Sequence, residues 1–244
     1  MEKSVTATPS VINLVYRGIE HFELMIKNRA PFSFARYGDG EWMSILGYSG
    51  RNCDGVQFNN ELKLALTETL KYPQLNDNYY YGMLAIAFRY MRPYIEKFTY
   101  INNLDITWTE ATFLVAANRQ GQLSSFLRSL RKRSILYVGP AHLRAISDII
   151  GLNIKHFIDV PNERAFEERE RIKKEVLRFS GKADFVGFSA GPATKWLIWS
   201  LYPHLGQTHT LFDFGSIFDG YVGRPSRKYQ RRKTWRELVR SNLQ

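Results

Sequence analysis

The sequence has very little cysteine: Cys53 is the only one among 244 residues. A single cysteine excludes a disulfide within the chain and a zinc cluster built from several cysteines. It agrees with a reducing compartment, and we expect a cytoplasmic location. The sequence also lacks an apolar run of about 18 residues, so it predicts no membrane-spanning helix. Residues 1–10 lack the apolar core of a signal peptide.

Acidic residues are also scarce. The chain has 34 Lys and Arg against 23 Asp and Glu, which gives a formal net charge of +11. Residues 224–244 carry +7 of this charge, because eight basic residues there accompany one acid, Glu237. The eight are Arg224, Arg227, Lys228, Arg231, Arg232, Lys233, Arg236 and Arg240. Such a segment predicts an anionic partner.

Three interpretations of this basic segment stay open. Tyr229 and Trp235 lie between its charges, which is typical of a segment that binds an anionic membrane surface. The segment could instead be a solvated tail, or a short helix packed on the domain through Trp235 and Leu238. Nucleic acid is a third anionic partner that the net positive charge suggests.

What the sequence does contain is typical of a folded globular protein. Hydrophobic residues make up 44% of the chain and charged residues 23%. In the N-terminal half, apolar residues at helical spacing predict several helices, and β-prone apolar runs predict strands. The predicted helices are 10–28, 59–72, 85–98 and 111–132, and Pro93 should break the third of them. The predicted strands are 32–36 and 78–84.

The C-terminal half shows a clearer alternation. Four short apolar runs without a polar face predict strands that are covered on both sides, as in a parallel sheet. They lie in 133–142, 154–162, 182–194 and 208–216, with helical patterns between them at 142–151, 165–181 and 193–206. We predict one Rossmann-like α/β domain over residues 1–223, with a largely parallel sheet flanked by helices, and a basic C-terminal tail at 224–244.

Several predicted strands end in glycine. Ligands of open α/β sheets bind beyond the carboxyl ends of the strands, where glycine allows close approach and helix N-termini offer free N–H groups. The glycines are Gly38, Gly139, Gly191 and Gly215. Neither a dinucleotide-binding fingerprint nor a Walker A sequence is present. Gly191 and Pro192 are equally compatible with a simple helix start.

Asp39 and Glu41 are the first candidate functional acids. Gly-Asp-Gly suits a turn, and Glu41 would then be a favourable acid in the first turn of a helix. The alternative is a site for a divalent cation, because Mg²⁺ and Mn²⁺ are commonly held by one or two carboxylates together with substrate phosphates. Both interpretations stay open on the sequence alone.

The segment "FARYGDGEW" resembles the R-[FY]-G-D-G-E motif of GT-D-type glycosyltransferases, formerly a domain of unknown function (DUF1792). Further segments agree in the family's order: "SILYVGPAH", "IDVPNERAFEE", "DFVGFSAGPATKWLIWSL" and "TLFDFGSIFDGY". The resemblance spans about residues 10–222. It implies a single GT-D-type domain that uses a divalent metal (Mn²⁺ or Mg²⁺) to transfer a sugar from a nucleotide donor, typically UDP-linked.

The resemblance also implies roles for individual residues. Asp39 and Glu41 match the family's D-x-E and would contact the metal and the donor diphosphate. The family's Gly-Pro-[ST]-[AT] segment falls on 191–194, which includes Thr194. Its Asp-x-Gly falls on 213–215, although Ser216 stands where family members often carry His.

Other candidates follow from position and residue type. For nucleotide binding these are Arg36, as a phosphate clamp, and Asn162, each with a structural alternative as an ion pair or a helix cap. For catalysis they are His142, Asp213 and Asp219, since a base near the acceptor hydroxyl is needed for inverting transfer. Each of the three could instead hold the backbone or cap a helix.

We therefore predict a metal-dependent glycosyltransferase that acts on a nucleotide-sugar donor and on a glycan or lipid-linked saccharide acceptor. A basic nucleic-acid-binding protein is the alternative from another class. It explains the tail but not the acidic pair, which repels phosphate unless a metal intervenes. A scaffold that keeps the fold without activity is a further alternative.

Overall fold

The computed structural model of the chain describes residues 12–52, 55–71 and 77–244. Cys53 lies outside these residues. The described strands form one sheet in which every pairing is parallel. They are β1 (Asn13–Val15), β2 (Ser33–Tyr37), β3 (Tyr79–Met83), β4 (Thr107–Glu110), β5 (Ile135–Gly139), β6 (Ile154–Asp159), β7 (Phe185–Phe188) and β8 (Thr210–Asp213). Their order across the sheet is β1-β4-β3-β2-β8-β7-β5-β6.

Helices cover both faces of this sheet. They are α1 (Ile19–Lys27), α2 (Asp39–Ile45), α3 (Asn60–Lys71), α4 (Ala85–Ile101), α5 (Phe113–Gln120), α6 (Ser124–Arg131), α7 (Ile146–Ile150), α8 (Arg169–Phe179), α9 (Ala193–Leu205) and α10 (Trp235–Leu243). The first face buries apolar residues of α2, α3, α4, α8 and α9, and the second those of α1, α5, α6, α7 and α10. In the part of the chain that the structure describes, no helix has the length and apolarity needed to cross a membrane.

The central strands are buried on both faces. Every residue of β2, β5, β7 and β8 is buried, which explains their apolar runs without alternation. The predicted α/β fold with a parallel sheet is therefore confirmed, and the strands predicted in the C-terminal half are all present.

The direction of each crossover decides which face its helix covers. Crossovers toward the β1 edge, such as β2 to β3 and β7 to β8, place helices on the first face. Crossovers toward the β6 edge, such as β4 to β5, place them on the second. A uniform crossover hand produces this pattern. Segments after β2 and β7 thus diverge from those after β5 and β8, which opens a crevice around β8 at the carboxyl edge.

Three predictions in the N-terminal half were wrong: the extent of the first helix, the break at Pro93 and the single helix over 111–132. The helix predicted over 10–28 is shorter, because residues 13–15 form β1 and pair with β4, a strand that was not predicted; residues 10 and 11 lie outside the described residues. Pro93 does not break α4. Pro93 and Arg89 are exposed, so the Arg89 carbonyl that loses its helical partner can face water.

The helix predicted over 111–132 is two helices, α5 and α6. Gly121 ends α5 with a φ of 71°, in the left-handed region that glycine adopts without a steric penalty. Its amide donates to the carbonyl of Asn118. Helix α6 then begins at Ser124.

The basic C-terminal segment includes α10, which packs against α5 and α6. Trp235 is buried, and its indole N–H donates to the carbonyl of Gly220 at 3.0 Å. Asn242 is fully buried; its side chain donates to Asn118 and accepts from the amide of Leu123. These contacts hold the segment on the second face of the sheet.

Candidate functional site

The carboxyl edge of the sheet carries a cavity of about 1350 Å³ in the crevice around β8. Two walls line it. The α2/α9 wall lies mainly on the side of the first face, and its members include Arg36, Gly38, Asp39, Glu41, Arg51, Asn162, Glu163, Gly191 and Lys195. The C-terminal wall belongs to the second face, and its polar members include Arg119, His142, Ser216, Asp219, Arg224, Arg227, Lys228, Tyr229 and Arg232.

A buried cluster of four charges forms the base of the α2/α9 wall. Lys195, in the first turn of α9, places its ammonium 2.8 Å from Oε1 of Glu41 and 3.2 Å from Oδ2 of Asp213. Arg36, on β2, lies 3.4 Å from Oδ1 of Asp213 and donates its backbone N–H to Oδ2. All four residues are at most 7% exposed. Two cations and two anions compensate one another, as burial requires.

Gly215 makes room for this cluster. Its φ of 54° lies in the left-handed region, and a Cβ at this position would overlap Nη2 of Arg36. Its amide donates to Oδ1 of Asp213 at 2.9 Å. The sequence Asp-Phe-Gly at 213–215 thus holds a carboxylate and admits a guanidinium next to it.

The charges of the cluster stabilise one another. Burial alone would lower the pKa of Lys195, but the carboxylates of Asp213 and Glu41 raise it above its ordinary value. Burial alone would raise the pKa of Asp213, but Lys195 and Arg36 lower it. The raised pKa of Lys195 and the lowered pKa of Asp213 keep this ammonium and this carboxylate charged at neutral pH.

Asp39 and Glu41 differ in their freedom to bind a metal. Glu41 accepts from the backbone N–H of Gly38 through Oε2, at 2.9 Å, and pairs with Lys195 through Oε1. Asp39 is exposed at the cavity. Its carboxylate fits a divalent cation shared with substrate phosphates, whereas Glu41 reaches such a cation only by releasing Lys195. Among the described residues, no three His, Cys, Asp or Glu side chains are grouped to hold a metal by themselves.

His142 and Asp219 face each other in the cavity. His142 follows β5, and its Nε2 lies 3.6 Å from Oδ1 of Asp219, longer than a hydrogen bond. Burial raises the pKa of Asp219, although a hydrogen bond from Ser226 and the charge of His142 oppose this shift. The raised pKa brings the carboxyl group closer to the range in which it can exchange a proton with a substrate.

The C-terminal wall is held by Gln230, which is 3% exposed. Its side-chain oxygen accepts from the amides of Ser226 and Arg227, at 3.0 and 3.1 Å, and its nitrogen donates to the carbonyl of Ser216 at 3.0 Å. Arg227 also donates to the hydroxyl of Ser216. The basic segment is thus fastened to the loop after β8.

The structure brings most of the predicted site residues together. The cavity is lined by Arg36, Gly38, Asp39, Glu41, His142, Asn162, Gly191 and Asp219. Gly139, Pro192, Thr194 and Asp213 do not line it. The hydroxyl of Thr194 accepts a hydrogen bond from the amide of Ala190, and Thr194 is fully buried. Asp213 lies beneath the cavity, where it pairs with Arg36 and Lys195.

Two features of the site were not predicted. Lys195 was not considered, although a lysine in the first turn of a helix made of apolar residues is a signal that was available. The cations of the basic segment were assigned to a tail or to a short packed helix, and none of them was predicted to line the cavity. These cations lie at the cavity because Gln230 and Trp235 bind the loop after β8.

Comparison with solved structures identifies the fold. One similar structure is described as "The highly conserved domain of unknown function 1792 has a distinct glycosyltransferase fold"; the TM-score is 0.61 at 19% identity, over 84% of this chain and 79% of that chain. The selenomethionine-substituted structure of DUF1792 gives a TM-score of 0.62, with the same identity and coverage. No family model and no curated protein matches the sequence. The chain therefore has a glycosyltransferase fold, as its motifs predicted.

Proposed function

We propose that this protein is a glycosyltransferase that moves a sugar from a nucleotide-sugar donor, UDP-linked in our preferred version, to a saccharide acceptor. The observation that carries the proposal is the cavity at the carboxyl edge of a glycosyltransferase fold, in which His142 faces Asp219 beside the glycine-lined ends of β2 and β7. Fold alone does not fix an activity, so the proposal depends on what these side chains can do.

The donor diphosphate belongs on the α2/α9 wall. Gly38 and Gly191 carry no side chain that would keep phosphate away, and α9 presents its N-terminus next to Gly191. Lys195 and Arg36 supply positive charge from below. Because both are already paired with carboxylates, they orient the donor and add little net attraction.

A divalent cation, Mn²⁺ or Mg²⁺, suits the exposed carboxylate of Asp39. Bound there together with the donor phosphates, such an ion would neutralise charge on the leaving nucleoside diphosphate. Glu41 acts differently in this proposal: it holds Lys195 in place and caps the start of α2. Asp39 is thus the direct ligand, and Glu41 a positioning residue.

The transfer step needs a proton acceptor on the acceptor side. As the acceptor oxygen forms its bond to the sugar carbon, the bond from that carbon to the diphosphate breaks and the hydroxyl proton must leave. We assign this proton to the His142–Asp219 pair: one member accepts it, and the other stabilises the charge that results.

The first experiment is a screen of nucleotide sugars with Mn²⁺, with Mg²⁺ and with EDTA, read by release of nucleoside diphosphate and by melting temperature. A bound donor should raise the melting temperature by mass action. Asp39→Asn should lower metal-dependent turnover by at least about 100-fold, because it removes the proposed metal ligand. Asp105→Asn removes an exposed acid outside the cavity and should change nothing. Absence of donor hydrolysis and stabilisation across the whole panel would refute the proposal.

The second experiment tests the proton acceptor. His142→Gln and Asp219→Asn should each lower kcat by about 100- to 10,000-fold and leave the stabilisation by UDP unchanged. If the two residues act as a unit, the double variant should be no slower than the slower single variant. Two effects that multiply would show that the residues act separately, and unchanged kcat in both would exclude the pair from catalysis.

A further inference from the structure

The C-terminal wall carries a surplus of positive charge that a nucleotide-sugar donor does not explain. Lining the α2/α9 wall are three cations, Arg36, Arg51 and Lys195, and three acids, Asp39, Glu41 and Glu163. The C-terminal wall has five cations against one acid, Asp219. Its cations are Arg119, Arg224, Arg227, Lys228 and Arg232.

Three of these cations are available to a ligand. Arg224, Lys228 and Arg232 are exposed, and none of them forms an ion pair with a carboxylate among the described residues. Uncompensated cations that line a cavity raise the local concentration of anions there. Guanidinium groups in particular bind phosphate oxygens through paired, charge-assisted hydrogen bonds.

The backbone that carries these cations is held in place. Gln230 ties the backbone of Ser226 and Arg227 to the loop after β8, and Trp235 is buried against Gly220. The backbone N–H of Arg224 donates to the carbonyl of Asp219 at 2.9 Å. The surplus charge therefore adjoins the proposed proton acceptor, on the side of the cavity that the acceptor must occupy.

The cavity has room for a second ligand. Pockets that bind one small molecule typically measure about 300–1,000 Å³, and this cavity measures about 1350 Å³. On this basis, which rests on the proposed function, we propose that the acceptor is a phosphate-bearing saccharide. Its phosphate or diphosphate group binds to Arg224, Lys228 and Arg232 while its hydroxyl faces the His142–Asp219 pair.

Two phosphate sources share this chemistry: a diphosphate that links a saccharide to a lipid, and a phosphodiester within a glycan. The test is a calorimetric titration of the full chain with geranyl diphosphate and with a short glycerol-phosphate oligomer. UDP is present at saturation, and Mg²⁺ exceeds both ligands. The probe that binds more tightly identifies the source.

The basic segment itself offers a matched pair of variants. Arg224→Gln with Lys228→Gln and Arg232→Gln removes three cations that line the cavity. Lys233→Gln with Arg236→Gln and Arg240→Gln removes three exposed cations of the same segment that do not line it. We expect the first variant to lower the affinity of the better probe by at least about 30-fold, and the second by no more than about twofold.

Three outcomes would overturn this inference: neither probe binds the parent protein, both variants lose affinity equally, or a single-stranded oligonucleotide binds more tightly than either probe and depends equally on both sets. The last outcome would identify a nucleic-acid surface. UDP binding is measured separately in every variant. If the parent protein does not bind UDP, that result counts against the proposed function. The titrations with the two phosphate probes still test the phosphate site.

Discussion

The two walls of the cavity handle charge in different ways. In the α2/α9 wall, Glu41 and Lys195 belong to a buried cluster in which each charge faces an opposite one. In the C-terminal wall, Arg224, Lys228 and Arg232 are exposed and lack carboxylate partners among the described residues. The first arrangement makes charge part of the fold, and the second leaves charge for a ligand. Substitutions in the buried cluster should therefore affect stability, and substitutions of the exposed cations should affect binding.

The largest effect on stability should come from Asp213→Asn. It leaves Lys195 and Arg36 buried with one carboxylate between them, so the free energy of unfolding should fall by about 3–5 kcal/mol, measured by urea denaturation. Lys195→Met leaves the carboxylates of Glu41 and Asp213 buried without the ammonium group between them. The double variant restores neutrality and should lose less than the sum of the two single losses. A loss under about 1 kcal/mol in both single variants would show that the cluster is not a unit.

The same carboxylate predicts a dependence on pH. The pKa of Asp213 is lowered in the folded state, so its contribution to stability is present above the unfolded value of about 3.9 and is lost as pH falls through the folded value. Burial raises the pKa of Asp219, so its ionised carboxylate lowers the stability of the folded state at neutral pH, and this cost disappears on acidification. Unfolding measured between about pH 3 and pH 6 should therefore show a shallower loss on acidification in Asp213→Asn than in the parent protein.

An intermediate effect is expected at the contact that fixes the C-terminal wall. A Cβ on Gly220 would lie 2.8 Å from the indole of Trp235, so Gly220→Ala should destabilise the protein by about 1–3 kcal/mol. Gly181 is the matched control, because nothing lies within 4 Å of a Cβ there. Gly181→Ala should leave the unfolding midpoint unchanged or slightly raised. Equal losses in the two variants would mean that the indole contact is unimportant.

The smallest effect on stability is expected in the exposed groups of both walls. Asp39→Asn and the triple variant of Arg224, Lys228 and Arg232 should each change the free energy of unfolding by no more than about 0.5 kcal/mol. Their effects belong to metal-dependent turnover and to phosphate binding, respectively. If either variant unfolds at a markedly lower urea concentration, its loss of function would need a structural explanation instead.

The sequence was most informative where strands are covered on both faces. Strands β5, β7 and β8 read as continuous apolar runs, and the glycines that follow β2, β7 and β8 indicated the edge at which a ligand binds. Strand β1 has only three residues, and β4, Thr-Trp-Thr-Glu, has only Trp108 and Thr109 buried, so neither carries a clear pattern. Such strands are defined by their partners in the sheet.

The site was partly predictable for a related reason. Asp39, His142 and Asp219 each lie within six residues of the end of a strand, so a parallel sheet places them at the same edge. The burial of Asp213 and its pairing with Lys195 depend on side-chain packing, which local sequence does not encode. The place of Arg224, Lys228 and Arg232 depends on contacts of Gln230 and Trp235 with the loop after β8. The pattern of charges along the chain does not predict those contacts.

The position of β8 has a consequence for how the protein folds. It is the last described strand along the chain, yet it lies in the middle of the sheet, between β2 and β7. Its Asp213 accepts from the backbone of Arg36, a residue 177 positions earlier. Until β8 inserts, the two parts of the sheet share no strand, and Arg36 lacks its carboxylate partner. Closing such distant pairs is slow, and it should make the two parts unfold together as one cooperative unit.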